Sequence, residues 1–444
     1  MALTACNKWV DTDINIDPNN PKDVPLELIL PGAQAAWSYT YGGDICRYNS
    51  VITQHHGGVD RQHLGIDAYN ITEVDVNNSW ESSYSTAMNE FNIIIQKAGT
   101  ESPHYSGVAK VLMAHAVMVT TDLYGDIPFS EAFQLSENLK PGYDKQEDIY
   151  AAIVTLLTEA ATDLGAAESM FSPGGDDLMY GGDLALWTSA ANVLLARAYL
   201  HTANVNSGDY AKALAALDKG GFSGSVDDLN MFYTTASTEQ NPLYQFVDQR
   251  GDIRMGKFFI DLMNGLNDPR IAVFAVPADA TGYRGSPAGK PDISASMPGA
   301  SYNAPDAPIP FVTYVEQKFI EAEAALESGD KPRAATAHNE AVTASLEQWG
   351  VSDAAYLAAN AAETDATISL EKIMTQKYIA LYYQTETWND WRRTGFPALI
   401  PSDGQSKIPT RWPMSQSERF YNADNYNLLS NPIDIYAKVW WDAD

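Results

Sequence analysis

Two cysteines in 444 residues leave nothing from which to build a disulfide framework. Basic residues are scarce: 28 Lys and Arg stand against 57 Asp and Glu, for a net charge of −29. Such a field repels phosphate backbones and anionic headgroups, which excludes a nucleic-acid partner and electrostatic docking on a lipid surface. No run of about 18 apolar residues occurs, so no segment reads as a membrane-spanning helix. A G-x-S-x-G elbow, H-E-x-x-H, a glycine-rich phosphate loop and C-x-x-C are all missing. The sequence therefore offers no nucleophile, nucleotide or zinc motif, and no cofactor is expected.

What the sequence has is helix-forming repeats and aromatics. The stretch 314–349 carries Phe319, Ala322 and Leu326 at three- and four-residue steps, with Glu321 and Glu327 opposite, which predicts an amphipathic helix. Ser328-Gly329-Asp330 stops it, and Pro332 sits where a second helix begins without losing a hydrogen bond. Ala335, Ala341, Val342 and Leu346 line that second helix. The same order of features recurs about 130 residues earlier: Trp187, Ala191, Leu194 and Ala198, a break at 206–209, then Ala211, Ala215 and Leu217. Two such copies predict tetratricopeptide-like hairpins, interrupted by loop rather than forming a continuous solenoid, with plain antiparallel helices as the alternative.

Further helices are expected from residue 25 through Ile52, over 80–98 and 108–123, and over 370–383. Another should run to Leu164, with Asp144 as N-cap and Glu147 completing a capping box. Residues 1–24 read as a tether and 25–444 as a single mainly α domain. A long, loop-rich insertion occupies about 220–310, in which 243–247 and 271–276 are short strands or helices. Tyr and Trp number 24 and 10; having an apolar body and a polar edge, they suit a surface that binds flat or amphipathic ligands.

Several chemical readings can be weighed from the residues. His55, His56 and His63 invite a metal, but adjacent side chains diverge and no further ligands stand at suitable spacing, so no metal is expected. Carboxylates are plentiful enough for a two-acid glycoside hydrolase, yet nearly every Glu that can be placed falls on a helix face expected to be solvated. Arg392 and Arg393, flanked by Asp390 and Glu386, read as ties between the last helix and its neighbours. Cys46 reads as a buried, inert thiol. Leu3-Thr4-Ala5-Cys6 resembles a bacterial lipobox trimmed close to its processing site, and the Asp-, Asn- and Pro-rich segment after it suits a tether, so Cys6 is expected to carry lipid.

Five motifs then stand in order along the chain: D-L-Y-G-D-I-P-F-S-E-A-F (122–133), Y-D-K-Q-E-D-I-Y (143–150), N-D-P-R (267–270), F-I-E-A-E-A-A-L (319–326) and W-N-D-W-R-R-T-G-F-P (388–397). Together they resemble the SusD/RagB family of outer-membrane nutrient-binding lipoproteins, in its SusD-like branch, over nearly the whole chain. The resemblance implies a tetratricopeptide-like helical scaffold with a loop-rich ligand-binding face. It also implies a non-catalytic, lipid-anchored surface protein that passes oligosaccharide to a SusC-like, TonB-dependent transporter, with the repeats facing that barrel. A peptide cargo, a glycoside hydrolase and a pure protein scaffold are the alternatives. The family's ligand-contacting aromatics form no fixed motif. Loop position and residue type instead nominate Arg61, Tyr69, Tyr283, Arg284 and Tyr302 as ligand-binding residues.

Overall fold

The computed structural model describes residues 24–442, so Cys6 and the segment read from sequence as a tether lie outside the described residues. The chain is mainly helical. It opens with α1 (Leu26–Thr40), which runs through a π turn at Tyr41–Ile45 into α2 (Cys46–Ile52). A short strand β1 (His56–Gly58) and α3 (Arg61–Asp67) follow. The expected 80–98 helix is α4 (Asn77–Glu81), a second π turn at Ser82–Met88, and α5 (Asn89–Ala98). Trp80, Met88 and Phe91 of its apolar stripe are buried, as the spacing requires.

The scaffold begins at α6 (Pro103–Tyr124), which is buried along almost its whole length because other helices pack around it. It continues through α7 (Gln146–Leu164), α8 (Leu184–Thr202) and α9 (Asp209–Asp218). Gly107 marks the tightest approach: a Cβ there would stand 2.6 Å from Cγ of Leu164, so only hydrogen lets α6 and α7 close to this distance. The capping box expected at α7 is absent. Asp144 instead accepts from the amides of Phe129 and Ser130 at 2.8 and 2.7 Å, while Asp126 takes the Gln146 amide at 3.0 Å. The glycine and proline of that turn bring Asp126 to the helix start, and Asp144 is spent holding the turn.

Residues 220–310 are more structured than a loop. They hold β2 (Leu229–Met231), α10 (Pro242–Gln249), β3 (Ile253–Met255), α11 (Lys257–Leu266) and α12 (Ile271–Phe274), ending at β4 (Ile309–Val312). The stretches at 243–247 and 271–276 are thus helical in their main part. β1 pairs antiparallel with β3, and β2 with β4. The second hairpin follows as α13 (Tyr314–Glu327) and α14 (Lys331–Gln348), with Pro332 in the first turn of α14. Then come α15 (Ala354–Asn360), α16 (Leu370–Ala380) and α17 (Glu386–Thr394). Both hairpins are as expected, but the break between them is only in sequence. In space α9 packs directly on α13, making α6, α7, α8, α9, α13 and α14 one run of neighbours.

The centre of this run is ionic, which corrects the expectation that the glutamates face water. Glu316, Glu323 and Glu386 are all buried. Arg197 binds Glu316 through two nitrogens at 2.6 and 2.5 Å, and Arg393 binds Glu323 at 2.7 and 2.9 Å and Asp390 at 2.7 Å. Lys377 adds a bond to Asp390 at 2.9 Å. His201 lies between Glu386, at 2.5 Å, and Asp122, at 3.4 Å. Asp122 also takes the Tyr150 hydroxyl and the Trp441 indole at 2.6 and 2.8 Å, and the guanidinium of Arg392 lies over the rings of Trp388 and Trp441. Arg392 and Arg393 therefore tie α17 to its neighbours, as expected, though two short helices, Gln416–Tyr421 and Ala423–Tyr426, follow it. Cys46 is free and buried, and burial pushes its thiol well up, away from reactivity.

Candidate binding cleft

Both π turns open onto one hollow. A π turn adds a residue to a helix without changing its direction much, so it displaces side chains from the regular stripe and is frequent where function needs it. Here Gly42 lets the first turn meet β4, since a Cβ would stand 2.7 Å from Ile309, and Gly43 breaks helical geometry at φ −87°, ψ −110°. The resulting cleft, about 410 Å³, lies between α1, the second π turn and α10.

Arg47 anchors it. Its guanidinium lies 3.9 Å over the Phe246 ring, pairs with Asp44, and donates from Nε to Nε2 of His63 at 2.9 Å. Burial, with Arg47 and Arg250 nearby, pulls His63 down to about 2. The imidazole is therefore neutral and can accept from Arg47 while its Nδ1 lies 3.9 Å from Asp252. Tyr39 adds a ring that is 52% exposed. Asn78, Ser82, Gln245 and Gln249 supply amides and a hydroxyl around these rings. The lining holds two arginines, Arg47 and Arg250, and a single carboxylate, Asp44, so it does not present the paired acids that glycoside hydrolysis uses.

The five residues nominated from sequence do not converge. Arg61 comes nearest: it opens α3 at φ +46°, donates to the Arg250 carbonyl at 3.2 Å and pairs with the buried Asp252, just behind the cleft rim. Tyr69 is buried, its hydroxyl accepting from the Ser402 amide at 3.2 Å. Tyr302 is 2% exposed and packs on Trp349, Tyr382 and Tyr383, so no ring face reaches solvent. Tyr283 is half-buried against the core, and Arg284 is tied to Asp279 and to the Ser294 carbonyl at 3.0 and 2.8 Å. Loop position overstated the exposure of Tyr69 and Tyr302, because there the chain folds back onto the core. The three histidines are likewise engaged: His55 with the Tyr378 carbonyl at 3.0 Å, and His56 with Ser50 and Tyr382 at 2.8 and 2.6 Å.

Tyr39, Asp44, Arg47, Phe246 and Arg250 went unread in the sequence. Their one signal was Gly42-Gly43 inside an otherwise regular helical stripe, next to an arginine in a chain with few.

A family model described as SusD-like, starch-binding and associating with the outer membrane matches residues 21–414. No curated protein matches. Among solved structures, a SusD/RagB family protein from Bacteroides thetaiotaomicron is 25% identical at a TM-score of 0.79, covering 95% of this chain and 99% of its own. A chitin-binding protein is 26% identical at 0.82, covering 95% and 100%. A chitin-binding SusD homolog from Flavobacterium johnsoniae, 22% identical at 0.80 over 94% and 99%, shares the fold.

Proposed function

Because this chain belongs to the SusD-like family of starch-binding proteins that associate with the outer membrane, we propose that it captures an oligosaccharide at the cell surface without cleaving it. It then delivers the glycan to a SusC-like, TonB-dependent transporter. The observation that carries this reading is the cleft, where the Arg47–Phe246 stack and the open Tyr39 ring stand among Asn78, Gln245 and Gln249. Aromatic rings take the C–H faces of sugars, and amides answer their hydroxyls. The starch-binding description of the family and the chitin-binding relative at 26% identity make malto- and chito-oligosaccharides the first probes.

Attachment rests on lipid at Cys6, since no helix among the described residues is long and apolar enough to cross a membrane. The transporter docks on the helical run, where a groove of about 610 Å³ crosses α7, α8 and α9 and carries Tyr199 and Trp440. Capture works as gating: a glycan that binds more tightly when the protein is closed over the barrel shifts the equilibrium toward closure.

The test is isothermal titration of the full chain against maltohexaose, chitohexaose and a peptide digest, with product analysis by chromatography. Binding of a glycan without product, weakened about tenfold (~1.4 kcal/mol) by Tyr39→Ala and by Phe246→Ala, is the expected result. Turnover that a single Asp or Glu substitution removes would make the protein a hydrolase. Affinity for peptides alone would change the cargo.

A further inference from the structure

A second hollow, of about 570 Å³, lies at the opposite end of the β1–β3 ribbon. The register fixes this: Gly58 pairs with Ile253 at the end nearer Arg250 and the cleft, whereas His56 pairs with Met255 at the end from which Gln54 and Lys257 extend. Half-buried Phe258 and Leu262 of α11, with Pro287 and Pro401, give it an apolar lining, and Ile400 stands on its rim 65% exposed.

Its walls come from four distant segments and are held by specific bonds. Gln54, at φ +64°, donates from its amide to the Ile400 carbonyl at 2.5 Å. The Asp403 amide donates to the Ala288 carbonyl at 3.1 Å, and the Ser402 amide to Tyr69 at 3.2 Å. Buried Asp67 accepts from the Gly289 amide at 2.5 Å. Gly289, at φ +74°, lies so close to Ser402 that a Cβ would stand 2.4 Å from its hydroxyl. A non-glycine residue at positive φ and a backbone pressed this tightly are retained only where the surroundings over-determine them. The hollow is preformed.

Its chemistry selects a ligand class. Lys257 pairs with Asp261 at 2.6 Å and Lys290 with Asp403 at 2.8 Å, so the lining carries two cations and two anions and no net charge. Each pair sets an ammonium donor beside a carboxylate acceptor, the complement of vicinal hydroxyls, which both accept and donate. A charged ligand would leave one member of each pair opposed, whereas a purely apolar one would strip both pairs of water without answering their remaining donors and acceptors. The apolar lining between the pairs suits the C–H face of a ring.

We propose that this hollow is a second carbohydrate subsite that takes a neutral pyranose unit, separate from the cleft. The proposal rests on the glycan-binding reading above. It is tested by titrating the full chain with maltohexaose and chitohexaose, in the unmodified protein and in Phe258→Ala, Ile400→Asp and Tyr39→Ala/Phe246→Ala. Two classes of site are expected. Phe258→Ala and Ile400→Asp each weaken one class at least tenfold and leave the other, while the cleft variant does the reverse. Ile400→Asp changes an exposed rim residue, so it decides the matter if Phe258→Ala does not melt cooperatively. A single class, lost in the cleft variant and untouched by Phe258→Ala and Ile400→Asp, overturns the second subsite and leaves the cleft standing. Silence toward every glycan overturns both.

Discussion

The buried charges are the residues on which stability most depends. Arg393 satisfies Glu323 and Asp390 together where all three side chains are buried. Removing one partner strands the others without solvent, so Glu323→Ala should cost about 3–5 kcal/mol in chemical denaturation. His201 adds a pH dependence. Burial alone would lower it, but Glu386 and Asp122 outweigh burial and hold it up at about 9. A histidine raised from 6.5 stabilises the fold fully below pH 6.5 and loses that contribution as pH climbs through 9. Stability should therefore fall by up to about 3 kcal/mol between pH 6.5 and 9 (~1.4 kcal/mol per unit), and His201→Gln should flatten that slope. An unchanged slope in the variant would sink the assignment. Adjacent arginines just after two acids, Glu386 and Asp390, made the ties of Arg392 and Arg393 legible from sequence. Glu316, Glu323 and Glu386 were not legible, because their partners Arg197, Arg393 and His201 come from other helices.

Elements divide along the same line. Periodicity located the hairpins, α6 and α16 well, since an apolar stripe at helical spacing is a local property. It could not register the two π turns, because a single added residue leaves the stripe of Trp80, Tyr84, Met88 and Phe91 readable. Those turns open the cleft, so the site escaped for the same reason. Asp144 shows a related failure: the capping-box spacing was present, but the turn at 127–130 claimed the carboxylate first. The close contact of α6 with α7 gives a prediction at this scale. Gly107→Val would drive a branched side chain into Leu164 and should destabilise by about 1–3 kcal/mol, read as a lower denaturation midpoint with an unchanged slope. A neutral result would show that the two helices can separate at no cost.

For the whole molecule, the fold sets a helical run that carries a groove apart from a cleft where α10 and the two π turns meet. Surface attachment belongs at this scale too. Cys6→Ala should move the protein from the membrane pellet to the soluble fraction while leaving glycan titration unchanged, and retention in the pellet would refute the lipid tether. The sequence by itself determined the mainly α class, the two hairpins and the family, because each follows from local spacing or motif order. Only the tertiary structure decided that hairpins 130 residues apart are neighbours, that glutamates drawn on solvated faces lie in an ionic core, and that Tyr302 is packed rather than presented. Burial depends on what distant segments bring to a residue, and that is not written at the residue itself.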